Sequence, residues 1–357
     1  MMTTFNIKSA TFPQFTSALD KNGYIPVDLD ALYAAYSTLQ QMAGSGDDGE
    51  DAVPTIILDG PTGAGKSYMA KAIAKTLGAA YLQYSCHPDT SHEEVIRDIN
   101  IEAPVVAQSG FAEKKYTKDD IYIYGPLYDT VRQSQKGPVV LLIDEIDKAR
   151  TAIDALLLGF LNDGYLSVQG LGEDNGVERL FAKLENIIVV ITKNDERDLH
   201  PALLRRGRVV YMDYPEPMVE TRILTERAGI GHEAARSLVT QANKLRRNSN
   251  ISKPPSPPEL VRLAEDFKTL VERNVRTESD GNGGSRLVCD MPREVLNNSF
   301  INSMLAKKEE HALGKKLLKD KSFGTALLSA MLRDKGTPQQ RIHYLDVDVL
   351  RRGPSSE

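Results

Sequence analysis

The sequence predicts an α/β fold, a doubly wound and mostly parallel sheet, followed by a smaller all-α domain. Three observations predict it. Short apolar runs alternate with helix-forming stretches across residues 53–214, the pattern of strand–helix–strand units. At the first junction, Gly60-Pro61-Thr62-Gly63-Ala64-Gly65-Lys66-Ser67 follows the apolar run 55–58 and precedes the helix-forming stretch 68–76. Glycines at that spacing let backbone N–H groups converge on phosphate oxygens, and the helix that follows adds the positive end of its dipole. From Pro215 and Pro217 onward the pattern turns helical.

In such a loop Lys66 reaches the β- and γ-phosphates of a nucleotide and Ser67 holds Mg²⁺. A chance glycine-rich turn is the alternative, and a strand, loop and helix in register argue against it. The loop names a ligand and not yet a function.

At 357 residues the chain exceeds what one core usually serves, so two domains or more are expected. A net charge of −5 supplies no global basic field and weighs against a nucleic-acid partner. The longest apolar runs, 139–143 and 187–191, are far too short to span a bilayer, and the first twenty residues lack the layout of a signal peptide. A cytoplasmic location is expected. Cys86 and Cys289 stand apart from each other and from any metal-ligand spacing, and read as two reduced thiols.

Taken in order, residues 1–52 form an N-terminal helical extension and linker. A helix over 27–42 places Leu29, Leu32, Tyr33, Tyr36 and Leu39 near one face, and the polar, glycine-rich run 44–51 follows it. Residues 53–215 form the α/β core. After the phosphate loop and its helix come a strand over 80–84 and a short helix over 93–99. Residues 100–121 mix Pro104, Gly110, Phe111 and Lys114-Lys115, and read either as an insertion facing a substrate or as a surface excursion.

A helix over 126–135 leads to the continuous apolar strand 139–143, of the kind buried on both faces of a parallel sheet. Asp144-Glu145 then falls at the strand's C-terminal edge, where open α/β sheets bind ligands, next to the phosphate loop if the two strands are neighbours. Asp144 is the candidate Mg²⁺ ligand, and Glu145 the group that polarises the water attacking the γ-phosphate. The alternative is an acidic pair that merely opens the next helix. A helix over 152–161, a hairpin pairing 164–169 with 177–181, a buried strand over 187–191, a short helix over 199–206 and a strand over 208–212 complete the core.

Residues 216–306 read as the all-α domain, with helices over 218–228, 232–245, 258–271 and 293–305 joined by polar loops at 248–257 and 277–285. The tail, 307–357, intersperses Lys308, Lys315, Lys316, Lys319 and Lys321 with Glu309, Glu310 and Asp320. That mixture favours a solvated helix face over a nucleic-acid patch.

Thr192-Lys193-Asn194-Asp195, after the strand 187–191, matches the pattern by which GTPases read guanine. That reading also needs a glycine three residues after the Mg²⁺ aspartate, and Asp144 is followed by Glu145-Ile146-Asp147. The rival reading makes Asn194 a polar sensor that orients the attacking water.

In this order the motifs resemble those of the AAA+ ATPases, and in their local wording the MoxR-like branch. Gly125-Pro126-Leu127 and Leu141 to Ala149 are similar to that branch's Walker B region, and Ile191-Thr192-Lys193-Asn194 to its sensor 1 strand, although Lys193 stands where a small residue is commoner. Leu199-His200-Pro201-Ala202-Leu203-Leu204-Arg205-Arg206 resembles the segment ending in the arginine finger. The match assigns the finger to Arg206 and leaves Arg205 without a separate role. Met291-Pro292-Arg293-Glu294 is similar to sensor 2, where Arg293 faces the γ-phosphate from a helical lid. The resemblance covers residues 53–215 well and the lid weakly.

The resemblance implies Mg²⁺-ATP bound between core and lid and hydrolysed at the subunit interfaces of a ring of six, with the energy used to remodel a partner protein. A von Willebrand factor A protein is a frequent partner in that branch. Two further classes stay open: a GTP-dependent machine using Thr192-Lys193-Asn194-Asp195, and a nucleic-acid motor or loader.

Overall fold

A computed structural model of the chain describes residues 5–44, 53–99, 122–169, 176–279, 285–291, 304–305, 309, 311–317, 327–328, 330–331 and 342–344. The chain divides into two compact units, Met1–Asp213 and Tyr214–Glu357.

The first unit opens with α1 (Phe12–Lys21), a helix the hydrophobic pattern alone does not announce. Its start is written in local chemistry: Pro13 sits in the first turn, and the Thr11 N–H donates to Gln14 Oε1 at 2.8 Å. Next come α2 (Leu29–Gly44), β1 (Thr55–Asp59), α3 (Lys66–Leu77), β2 (Ala80–Ser85) and α4 (His92–Ile96). The helix expected over 93–99 ends early, because β3 (Arg97–Ile99) pairs antiparallel with β4 (Tyr122–Tyr124), and Arg97 stacks 3.8 Å over the Tyr122 ring. The intervening residues 100–121 lie outside the described residues.

The order continues through α5 (Pro126–Ser134), β5 (Val139–Asp144), a 3-10 turn (Ile146–Lys148), α6 (Thr151–Asp163), β6 (Tyr165–Gln169) and β7 (Val177–Phe181). A second 3-10 turn (Leu184–Asn186), β8 (Ile187–Lys193), α7 (Pro201–Arg206) and β9 (Arg208–Tyr211) complete the unit. β6 and β7 form the expected antiparallel hairpin, with Tyr165 opposite Phe181.

Five strands make one parallel sheet in the order β2-β5-β8-β1-β9. The period-2 alternation of side chains explains why its central strands are apolar throughout. Ile57, Val139, Leu141, Ile143, Val189 and Ile191 enter the core shared with α5 and α6. Ile56, Leu58, Val140, Leu142, Ile188 and Val190 enter the opposite core, which contains Met69, Ala70 and Ile73 of α3 together with Phe15, Leu19 and Leu32. The N-terminal extension therefore covers one face of the sheet: Leu32, Ala35 and Leu39 of α2 are buried there and Tyr36 packs against them, whereas Leu29 and Tyr33, expected on the same face, are exposed.

The second unit contains α8 (Pro217–Ala228), α9 (His232–Arg246) and α10 (Pro257–Asn274), the last capped by Ser256 and Glu259. It is not all-α. A three-stranded sheet joins β10 (Val275–Ser279), β11 (Ser285–Cys289) and, after α11 (His311–Leu317), β12 (Ile342–Tyr344). β10 and β11 pair antiparallel across the stretch expected to be a polar loop, and β12 adds parallel to β11. Residues 292–303, and with them most of the helix expected over 293–305, lie outside the described residues.

Candidate active site

Strand order decides which residues can meet. β8 lies between β5 and β1, so the acidic end of β5 is not beside the phosphate loop as the simplest reading of the sequence expects; the residues after β8 stand between them. Contact is restored from above, because α3 runs from β1 towards β2 and packs on β5. Its second residue, Ser67, donates from Oγ to Asp144 Oδ1 at 2.7 Å.

The phosphate loop bends as its glycines permit. Gly60 (φ +146) passes so close to the chain end of β9 that a Cβ there would lie 1.9 Å from the Met212 carbonyl oxygen. Gly65 (φ 99) turns the chain into α3 in a left-handed conformation. Lys66 is 5% exposed and folds back over this loop. Its Nζ donates to the Gly60 carbonyl at 2.6 Å, the Pro61 carbonyl at 3.0 Å and Asn194 Oδ1 at 2.8 Å. Burial pulls the Lys66 pKa below its ordinary value, against the opposing pull of Asp59, Asp144, Asp147 and Glu145.

Asp144 and Glu145 part company at the end of β5, because Glu145 adopts a left-handed backbone conformation (φ 55). The buried Thr192 hydroxyl stitches the pair to β8: it donates to Asp144 Oδ1 at 2.6 Å and accepts the Glu145 N–H at 2.9 Å. The Glu145 carboxylate turns the other way. Oε1 accepts from Asn194 Nδ2 at 2.8 Å and Oε2 from Lys148 Nζ at 2.5 Å, a contact that holds the Lys148 pKa above its usual value. Asn194 thus spans Lys66 and Glu145 with its two amide ends.

Several residues of the site were not singled out in the sequence. Lys148 lies inside the stretch Leu141 to Ala149 but has no role of its own in that resemblance. Asp147 Oδ2 accepts the N–H groups of Asn194 and Glu196, each at 2.8 Å. Arg197 forks the fully buried Asp154 of α6 at 2.7 and 2.9 Å and donates to the Ala149 carbonyl at 2.7 Å. An acidic residue on the apolar side of a helix, followed by an arginine past the next buried strand, is the only signal that pair leaves in the sequence.

Arg205 and Arg206 are both exposed at the end of α7, and Arg206 Nε donates to Asn162 Oδ1 of α6. Arg293 lies outside the described residues.

A hydroxyl and a carboxylate oxygen 2.7 Å apart at the start of α3, beside a buried lysine and a loop whose first glycine has no room for a Cβ, form a donor set that fits a nucleotide phosphate with a divalent cation. Residues 55–207, which span β1 to the end of α7, match the AAA domain of the dynein-related subfamily. This part of the chain is similar to an AAA+ ATPase domain.

Two kinds of relative accompany the match. The proteasome-associated ATPases of Mycobacterium tuberculosis and Mycobacterium bovis are 31% identical over 158 residues, 43% of this chain and 24% of theirs. Protein NorQ of Paracoccus denitrificans is 24% identical over 192 residues, 54% of this chain and 64% of NorQ. The chain thus spans less than two thirds of the length of these relatives. An AAA+ ATPase domain implies nucleotide binding. No helix among the described residues is long and apolar enough to cross a membrane.

Proposed function

We propose that the chain binds Mg²⁺-ATP at Gly60–Ser67 and hydrolyses it. The observation that carries this reading is Asn194, whose side chain lies 2.8 Å from Lys66 Nζ at one end and 2.8 Å from Glu145 Oε1 at the other. A group so placed ties the residue that meets the γ-phosphate to the residue that faces the attacking water. Ser67 and Asp144 would hold Mg²⁺, which neutralises charge on the phosphates when bound. Lys66 gives up its carbonyl contacts for phosphate oxygens, and Glu145 accepts the proton of a water that Asn194 helps to orient.

In the wider reading the chains form a ring of six and Arg206 acts on the neighbour's nucleotide. Hydrolysis then remodels a protein partner, a von Willebrand factor A protein among the candidates. The Mycobacterium relatives, named for association with the proteasome, are in keeping with work on a protein partner.

Two variants test the central step. Glu145→Gln keeps the shape and the Asn194 contact but cannot take a proton, so ATP binding stays while turnover falls by about 10²–10⁴-fold. Lys66→Ala weakens binding itself. Turnover by Glu145→Gln at the wild-type rate would remove Glu145 from the chemistry.

A further inference from the structure

Asp147 is only 4% exposed, yet the proposed chemistry gives it nothing to do. A buried carboxylate is costly unless donors compensate. The neighbouring cations are committed to other groups: Lys148 to Glu145, and Arg197 to Asp154. Compensation comes instead from backbone. Oδ2 accepts the N–H groups of Asn194 and Glu196, while Oδ1 is buried with no hydrogen-bond partner among the described residues.

Those two donors straddle Asp195, which holds a left-handed conformation (φ 70) and whose side chain is 87% exposed. A turn bent through that conformation brings neighbouring N–H groups together into an anion-binding concavity, and here the anion is Asp147. A non-glycine residue stays in such a conformation where its surroundings over-determine it. The first arm of the turn is Asn194, whose side chain spans Lys66 and Glu145.

We propose that Asp147 is the positioning residue for Asn194. By gripping the main chain on both sides of Asp195, it fixes the point from which the Asn194 amide reaches Lys66 and Glu145 together. The 3-10 turn after β5 therefore serves the site twice, through Lys148 on the Glu145 carboxylate and through Asp147 on the loop that follows β8. The effect on turnover rests on the ATPase reading; the grip on the loop rests on geometry alone.

The test compares the wild-type chain with Asp147→Ala, Asp147→Asn, Asn194→Ala and the double variant Asp147→Ala/Asn194→Ala. With Asp147→Ala, binding of a non-hydrolysed ATP analogue is kept and kcat falls by about 10²-fold, the scale of an ångström's misplacement. Asp147→Asn, whose amide oxygen accepts the same two N–H groups, recovers most of that loss and covers the case in which the alanine variant folds poorly. In the Asn194→Ala background Asp147→Ala costs nothing further, because the group it positions is gone. By hydrogen exchange, the amides of Asn194 and Glu196 lose protection in Asp147→Ala while those of β8 keep theirs.

A purely structural role would give the same fractional loss in both backgrounds, and that result, a raised KM at unchanged kcat, or unchanged exchange at residues 194 and 196, overturns the proposal. A wild type without ATP turnover overturns the ATPase reading instead. The exchange measurement then still decides whether Asp147 holds the loop.

Discussion

Lys193 Nζ lies 3.1 Å from Asp59 Oδ2, and the two residues are register partners at the ends of β8 and β1. The lysine side chain is 8% exposed. Burial works to lower its pKa and is overcome by Asp59 and Asp195, which leave it above the usual lysine value. A charged ammonium is therefore held against Asp59, at the start of the phosphate loop. This weighs against the guanine reading, in which Lys193 would pack on a base and Asp195 would accept from it.

Asp195→Ala is accordingly expected to leave nucleotide preference unchanged, with ATP bound at least as well as GTP in a competition assay. A marked preference for GTP that Asp195→Ala abolishes would restore the guanine reading. Lys193→Met leaves Asp59 without its ion pair at a partly buried position and is expected to cost about 1–3 kcal/mol in denaturant unfolding.

Much of this site is legible in sequence because its parts are local. Gly60–Ser67 is a contiguous loop whose backbone does the work, and Asp144-Glu145 is announced by the apolar strand before it. Asn194 is legible through its place after β8, although that β8 separates β5 from β1 is a property of sheet order, which residue patterns do not state. The contacts that join these parts, Lys193 with Asp59 and Arg197 with Asp154, pair residues far apart in the chain and leave no spacing to read. In the second unit, β10 and β11 carry Arg276, Thr277, Glu278 and Arg286 in sequence, and a short strand pair so rich in polar residues reads like a polar loop.

Lys66 sets the alkaline behaviour of the site. Burial lowers its pKa in the folded protein, while the unfolded chain titrates at the ordinary 10.5. Between the lowered value and 10.5 the unfolded state holds the proton that the folded state has released. Stability of the ligand-free protein therefore rises with pH across that window. ATP affinity moves the other way, since the phosphates require the ammonium. Unfolding and binding measured between pH 7 and 10.5 are expected to diverge in wild type, and Lys66→Met is expected to remove the Lys66 contribution to both slopes. Parallel slopes in wild type would mean that the lysine is not titrating in the folded state.

The second unit is held by a buried pair of its own. Arg246 forks Glu220 at 2.7 and 2.8 Å, and the two side chains are 7% and 0% exposed. The same guanidinium donates to the Pro255 carbonyl at 2.8 Å and lies 4.5 Å from the centre of the Tyr214 ring. Glu220→Gln leaves that cation buried without its counter-charge, and is expected to destabilise the unit by about 3–5 kcal/mol. Glu220→Leu combined with Arg246→Met is expected to recover much of the loss. Equal midpoints for Glu220→Gln and wild type in denaturant unfolding would show that the pair contributes nothing.

The ring is tested through Arg206. Arg206 is an exposed residue at the end of α7, with its Nε on Asn162 Oδ1. A cation supplied across a subunit boundary stabilises the charge spread over a transferring phosphoryl group, an effect of roughly 10³–10⁵ in rate for fingers acting in trans. Arg206→Ala is therefore expected to bind ATP and turn it over poorly, as Glu145→Gln does. Mixing the two separates cis from trans action. A subunit without the finger keeps its own Glu145, and a neighbour without the base still offers Arg206, so mixed assemblies contain some complete sites. Recovery of activity that rises and then falls with the mixing ratio is the expected outcome. If the two variants are shown to co-assemble and turnover stays absent at every ratio, Arg206 either serves its own subunit or is not the finger.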